Sequence, residues 1–369
     1  MKKLLVLGCT GSIGSQTLDI ARNMRDDFTV VGISAGHRRD ELEKLCKEFG
    51  CPGSLFEDEG IEGLQKLAES CGADIAVNGI AGAAGLRPSA IALEAGMDLA
   101  LANKETVVMA WPLIQALAKK KGRSIIPVDS EHSAVFNLIH QSGKDNISQI
   151  VITASGGPFR EYTDAQLENV TVEQALHHPT WNMGPKITID SATLANKGLE
   201  VIEACRLFDM PTERVKVVVH PQSLIHSLVR TRDGMLYAQI SNPDMRHPIL
   251  GALTWPENKE NYLEEFDLAG HTMTFFPPRM DSFPMLRLAY SCAKTGKSYT
   301  TAFNAANEVA VAAFISKKCS FMDIPRIVGQ CLESDWSQEA GNLEDVFEMD
   351  KKARNKAGEL FVKIAGGCI

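Results

Sequence analysis

One seven-residue turn, Gly8-Cys9-Thr10-Gly11-Ser12-Ile13-Gly14, constrains this chain more than any other stretch because of what flanks it. Residues 4–7 before it form a short apolar run with the length of a buried strand, and residues 15–24 after it carry apolar side chains at helical spacing. A glycine turn between a first strand and a first helix permits close backbone approach and aims the helix amino terminus at a phosphate. The spacing is Gly-x-x-Gly-x-x-Gly rather than Gly-x-Gly-x-x-Gly, so a turn that merely packs helix on strand is the competing reading. The alternation continues: residues 29–33, 75–78, 99–102 and 124–128 read as strands, with helices such as 39–49 and 86–95 between them. This pattern predicts an α/β fold with an N-terminal doubly wound, Rossmann-like domain, whose ligands sit beyond the carboxyl ends of the strands.

After residue 130 the texture changes. Residues 149–154, 216–219, 223–229 and 235–240 read as strands, the last three joined by turns, with Asp233-Gly234 as a hairpin signal. A central α+β catalytic domain is expected, with His220 and His226 on one strand face. Residues 256–284 are rich in proline and charge and read as a connector. Residues 285–294, 302–317, 322–332 and 342–364 are periodic enough for a C-terminal helical bundle. The expected division is 1–129, 130–255, 256–284 and 285–369, in keeping with 369 residues at about 150 per domain.

Composition narrows the partners. Lys and Arg number 38 against 46 for Asp and Glu, a net charge of −8, which argues against nucleic acid and leaves any positive patch sized for a small anion. The nine cysteines form no Cys-x-x-Cys pair, so reduced thiols in the cytoplasm are expected. The apolar run after Lys2-Lys3 stops at Gly8, too short for a secretory segment, and no stretch reaches membrane-spanning length, so no membrane partner is expected.

The residues following each strand carry the chemistry. After residues 29–33 come Gly36, His37, Arg38 and Arg39, basic where an NAD protein places an acid; a 2′-phosphate is favoured, with Asp40 and Glu41 keeping NAD open. Asn103-Lys104-Glu105 reads equally as an anion or carbonyl contact and as a helix cap. Asp129-Ser130-Glu131-His132 leaves the strand at 124–128 with two carboxylates suited to a hard divalent cation, or simply opens a helix with acids. Ser155-Gly156-Gly157-Pro158 offers a hydroxyl and turn N–H groups. Residues 177–184 form an aperiodic loop whose Trp181 suits either a lid over an apolar ligand face or a plug in the core. Residues 190–203 read as a helix entered at Ser191, with Asn196, Lys197 and Glu200 on one face, either a phosphate and metal face or an exposed Lys–Glu pair. His220 and His226 read more readily as structural than as ligands.

Taken together, these motifs resemble the 1-deoxy-D-xylulose 5-phosphate reductoisomerase family. The resemblance rests on residues 8–14, 103–105, 127–134, 154–159, 178–184, 190–200 and 219–223, and extends through Pro243-Asp244-Met245-Arg246 and Asn304-Ala305-Ala306-Asn307-Glu308. It implies that Thr10, Gly11, Ser12 and Ile13 bind the pyrophosphate side of NADPH; Gly36, His37 and Arg38 its 2′-phosphate ribose; and Asn103, Glu105 and Gly184 its nicotinamide side. It implies Asp129, Glu131 and Glu200 as ligands of Mg²⁺ or Mn²⁺, with Co²⁺ as a further candidate. Lys104, Ser130, Glu131, Ser155, His178, Ser191, Asn196, Lys197 and Glu200 would hold a phosphorylated ketose under a flap carrying Trp181 and Met183. Lys104, Asp129, Glu131, His178 and Glu200 are the residues expected to act in catalysis, with no general base assigned, and a homodimer is implied. Cys9 stands where the family usually has Ser. The activity implied is rearrangement and NADPH-dependent reduction of 1-deoxy-D-xylulose 5-phosphate to 2-C-methyl-D-erythritol 4-phosphate in the non-mevalonate isoprenoid route. Two other functions fit parts of the chain: a metal-free NADP-linked semialdehyde reductase, and a non-catalytic NADP sensor.

Overall fold

The computed structural model describes residues 1–181 and 183–365; Asn182 of the aperiodic loop and Cys368 of the expected reduced thiols lie outside the described residues. The chain opens with β1 (Lys2–Leu7), α1 (Ser12–Asn23), β2 (Phe28–Ala35), α2 (Arg39–Phe49), β3 (Gly53–Leu55) and α3 (Phe56–Ser70). It continues with β4 (Ile75–Asn78), α4 (Leu86–Glu94), β5 (Asp98–Leu101), α5 (Lys104–Lys121) and β6 (Ile125–Pro127). These strands form one sheet in the order β3-β2-β1-β4-β5-β6, every pairing parallel. That is the doubly wound order expected, and the direction of winding reverses between β1 and β4, where the glycine turn leaves the sheet. Leu4, Leu5, Val6 and Leu7 are wholly buried, as a strand covered by helices on both faces requires. The edge strand β3, three residues long, is too short to show a period in sequence.

The remainder holds α6 (Ser130–Ser142), β7 (Ile147–Ala154), α7 (Asp164–Leu167), α8 (Val172–Ala175), α9 (Pro185–Ala192) and α10 (Ala195–Leu207). Next come β8 (Val215–Val219), β9 (Ile225–Thr231), β10 (Leu236–Ile240) and α11 (Arg246–Thr254), then α12 (Pro284–Thr295), α13 (Tyr299–Ile315), α14 (Asp323–Leu332) and α15 (Leu343–Ala365). The second sheet runs β10-β9-β7-β8, antiparallel except for the β7–β8 pair. Asp233-Gly234 does turn β9 into β10, with Gly234 at φ +90°.

Two compact units emerge, one of residues 1–106, 111–133 and 244–266, the other of 107–110, 134–243 and 267–369. The first unit thus takes in 244–266 besides the Rossmann-like sheet. Arg246 explains why: it forks onto Asp244 and donates to Asp19 of α1 at 3.0 Å, while the Tyr262 hydroxyl donates to the same Asp19 oxygen at 2.8 Å. The second unit joins the antiparallel sheet and the four C-terminal helices in one core, where Phe159, Phe303, Phe314 and Phe321 are buried and Phe159 meets Phe321 edge-on at 5.3 Å.

Two local expectations need correction. Residues 190–203 are not one helix: Leu194 adopts φ +61° between α9 and α10, and Thr193 Oγ1 turns back to the Ile189 and Asp190 carbonyls, so Ser191 lies in the last turn of α9 rather than at the entrance of α10. His220 and His226 do not share a strand face, because the chain turns between them after β8. The His220 ring accepts Leu224 N–H at Nε2 and donates through Nδ1 to the Thr274 carbonyl, stacked on Phe275, whereas His226 Nε2 lies 3.3 Å from the Ser241 carbonyl.

Candidate active site

In the first unit, β1 ends in a turn that only glycine tolerates at two points. Gly8 has φ +79°, and a Cβ on Gly14 would meet the Gly8 carbonyl oxygen at 2.3 Å. Gly8 and Cys9 donate N–H bonds to the Ser34 carbonyl of β2 at 3.0 and 2.8 Å, fixing the turn against the neighbouring strand. Gly11 precedes α1 and no side chain caps it, so the N–H groups of the helix start, with Thr10, Ser12 and Ile13 around it, could hold an anion. Gly36, His37 and Arg38 are exposed at the end of β2, and Arg38 reaches back to donate to the Thr10 carbonyl at 3.0 Å. Arg39 turns away instead, onto Asp58.

The same unit gathers a second group at the ends of β5 and β6, which are neighbours in the sheet. Asn103 realises the cap: its oxygen accepts the Thr106 N–H at 2.9 Å, and its amide nitrogen donates to the Ile80 and Gly82 carbonyls and to Glu105. It thereby ties the start of α5 to the loop after β4. Lys104, buried, donates from Nζ to Asp129 Oδ2 at 2.9 Å. Ser130 Oγ donates to Glu131 Oε2 at 2.5 Å, and Glu131 N–H to Asp129 Oδ1 at 3.3 Å, so the two acids and the Lys104 ammonium form one cluster at the start of α6.

The second unit assembles the other residues. Gly156 and Gly157, at φ +82° and +68°, fold the turn after β7 tightly onto the end of α9, where a Cβ on Gly157 would lie 2.8 Å from the Ser191 carbonyl oxygen. Ser155 and Ser191 thus face one ring: His178 Nε2 is 3.0 Å from Ser155 Oγ and 3.1 Å from Ser191 Oγ. His178 Nδ1 accepts the Thr180 and Trp181 N–H groups at 3.1 and 2.9 Å, which places the ring proton on Nε2. Burial, with Lys197 nearby, lowers the His178 pKa to about 4, so the ring is neutral at physiological pH. On α10, Glu200 is almost wholly buried between Asn196 Nδ2 and Lys197 Nζ, each 2.6 Å from one of its oxygens. This is a buried ion pair with each carboxylate oxygen hydrogen-bonded, not an exposed surface pair. Trp181 is half-buried, its ring edge-on to His226 at 6.2 Å; Met183 is half-buried and Gly184 is the exposed N-cap of α9.

Several supporting residues escape sequence reasoning. Asp190, buried beside Ser191, accepts from Lys186 Nζ at 2.8 Å and from Asn307 Nδ2 at 2.7 Å. The Lys186 partner is four residues away and legible as a helix pair; Asn307 is 117 residues away and is not. The main-chain N–H groups of Thr180 and Trp181 carry no sequence signal at all.

Comparison with known proteins agrees on one family. Models described as 1-deoxy-D-xylulose 5-phosphate reductoisomerase match residues 4–60 and 54–111, and models of its C-terminal domains match 125–208 and 240–356. The 1-deoxy-D-xylulose 5-phosphate reductoisomerase of Treponema pallidum is 48% identical over 361 residues, 96% of each chain. The Zymomonas mobilis enzyme of that name, solved in complex with NADPH, superposes with a TM-score of 0.89 at 39% identity, covering 98% of this chain and 99% of that one. A DOX-P reductoisomerase solved with NADPH, fosmidomycin and magnesium superposes equally well, TM-score 0.89 at 37% identity over 98% of each chain.

Proposed function

The chain belongs to the 1-deoxy-D-xylulose 5-phosphate reductoisomerase family, and from that premise we propose how its own residues divide the work. It is an NADPH- and divalent-metal-dependent enzyme that converts 1-deoxy-D-xylulose 5-phosphate to 2-C-methyl-D-erythritol 4-phosphate in isoprenoid precursor synthesis. The observation that carries the assignment of roles is the set of charge-paired acids at the strand ends of one unit and inside α10 of the other.

Asp129 and Glu131 with Glu200 would hold the cation. The donor set fits a hard ion: carboxylate oxygens only, with Lys104 beside Asp129 and Lys197 beside Glu200 to balance the excess negative charge. Magnesium, or manganese in its place, supplies Lewis acidity toward the carbonyl and an adjacent hydroxyl of the ketose when bound. Lys104 and Ser130 would orient that end of the substrate. Ser155, Ser191, Asn196 and Lys197 would take the phosphate, with His178 donating from Nε2 as a neutral group. Binding energy from the phosphate, remote from the reacting carbons, is then available to settle Trp181 and Met183 over the ligand and exclude water. Thr10, Gly11, Ser12 and Ile13 would cradle the pyrophosphate of NADPH, His37 and Arg38 its 2′-phosphate beside Gly36, and Asn103, Glu105 and Gly184 the nicotinamide end.

A homodimer is supported by β10, the outer strand of its sheet, which leaves Leu236, Tyr237 and Ile240 exposed, with Met235 exposed just before it; a second copy would cover that apolar edge. A cytoplasmic setting is supported by the unbridged cysteines among the described residues and by the NADPH requirement. The test of the site assignment is NADPH oxidation with the ketose phosphate, followed for wild type and Glu200→Gln. The variant is expected to keep NADPH affinity and to lose turnover by at least the factor that removing an outer-shell partner costs, about 10- to 100-fold. Wild-type turnover in Glu200→Gln would remove that residue from the metal site.

A further inference from the structure

Helix α5, which begins at Lys104, does not run straight. Ala110 departs to φ −136° and ψ 21°, and Pro112 has no N–H to return to the Val108 carbonyl four residues back. Residues 107–110 are fully buried, so the main-chain carbonyls at the bend have no water to turn to. Side chains from two other helices answer them. Arg206 of α10 donates from Nη1 to the carbonyls of Val107 and Val108 at 2.7 and 2.6 Å. Its Nη2 donates to Thr300 Oγ1 of α13 at 2.8 Å, and Thr301 Oγ1 donates to the Met109 carbonyl at 3.3 Å. Burial pushes the Arg206 guanidinium down only to about 10, so it carries its charge at neutral pH.

We propose that Arg206, oriented by Thr300 and assisted by Thr301, is a positioning residue for the reaction: its grip on Val107 and Val108 fixes where α5 presents Lys104. The coupling is short, since one helical turn separates Lys104 from Val108 and the clamp sits on the carbonyls of that next turn. A buried bend with its carbonyls unanswered would relax by straightening or by shifting along its axis, and either movement displaces the first turn. Arg206 lies on the helix that also carries Asn196, Lys197 and Glu200, so the side chain that holds α5 is rooted in an element bearing three of the proposed site residues. Arginine is suited to the task because one planar group serves two carbonyls and a hydroxyl at once. The inference rests on Lys104 meeting the substrate, as proposed above.

The experiment measures kcat, KM for the ketose phosphate, and the thermal unfolding midpoint for wild type, Arg206→Met, Arg206→Lys, Thr301→Val and Lys104→Gln. A displacement of about 1 Å at a positioning group can cost up to about a hundredfold, so folded Arg206→Met is expected to raise KM by about tenfold or more. Arg206→Lys, which still donates, should recover most of that loss, and Thr301→Val should shift KM in the same direction by a smaller factor. A purely structural arginine would lower the unfolding midpoint and leave KM of the folded enzyme at the wild-type value; that result overturns the proposal. Should Arg206→Met not fold, Arg206→Lys and Thr301→Val decide: an elevated KM in either sustains the clamp, and wild-type KM in both overturns it. Unaltered kinetics in Lys104→Gln would instead sink the role given to Lys104, which separates failure of the premise from failure of the clamp.

Discussion

His178 illustrates how hydrogen bonds, more than residue type, set a side chain's role. Two main-chain donors, Thr180 and Trp181, occupy Nδ1, so Nε2 holds the proton that faces Ser155 and Ser191. One ring therefore has two separable duties, holding the Trp181 turn and, in the function proposed, donating toward a phosphate. His178→Gln preserves a donor near Nε2 and removes the Nδ1 acceptor; His178→Asn does the reverse. Amide hydrogen exchange at Trp181 is expected to quicken in the first and stay near wild type in the second, whereas KM should rise in both. The depressed pKa has a defined consequence for stability. Well above pH 6.5 the ring is neutral folded or unfolded and contributes no pH dependence; as pH falls through 6.5 toward about 4 the unfolded state takes up a proton that the folded state refuses, and stability drops. Urea titrations between pH 6.5 and 4 should show a shallower loss in His178→Gln than in wild type. Arg38, whose guanidinium reaches the Thr10 carbonyl, is the other residue with a discriminating test: Arg38→Ala should weaken NADPH more than NADH, and equal weakening would mean that it does not read the 2′-phosphate.

Elements differ in how plainly their sequences announce them. The glycine turn was legible because steric need leaves few alternatives: Gly14 packs against the Gly8 carbonyl and Cys9 backbone, closer than any Cβ allows. Gly14→Ala is accordingly expected to destabilise the first unit by at least about 2 kcal/mol, measured by denaturant unfolding, with NADPH affinity falling alongside. The break between α9 and α10 was not legible. Leu194 in a left-handed conformation carries no glycine or asparagine signal, and the apolar period of residues 190–203 runs through it unbroken. Nor is α11 legible, since Asp19, which accepts from Arg246 in its first turn, is 227 residues away in sequence. For the homodimer proposed through β10, a Leu236→Lys, Tyr237→Lys double substitution on the exposed edge is expected to give monomers in light-scattering measurements where wild type gives dimers; equal masses for the two would contradict that contact.

On the scale of the whole molecule, sequence yields the inventory of the proposed site but not its division. Strand ends pointed to Lys104, Asp129 and Glu131, and helical spacing pointed to Asn196, Lys197 and Glu200. Spacing alone left an exposed pair as open as a buried one, and only burial of Glu200 between Lys197 and Asn196 settles which it is. The chain also crosses between the two units within α5 and again within α6, so unit boundaries fall inside helices, where no linker composition marks them. The central claim, the proposal that Asp129, Glu131 and Glu200 serve a single divalent cation, is tested most directly by Mn²⁺ binding followed by electron paramagnetic resonance of the free ion. One Mn²⁺ per chain is expected for wild type, with affinity lowered at least about tenfold in Asp129→Asn, Glu131→Gln and Glu200→Gln alike. Undiminished binding in Glu200→Gln, with Asp129→Asn impaired, would contradict it.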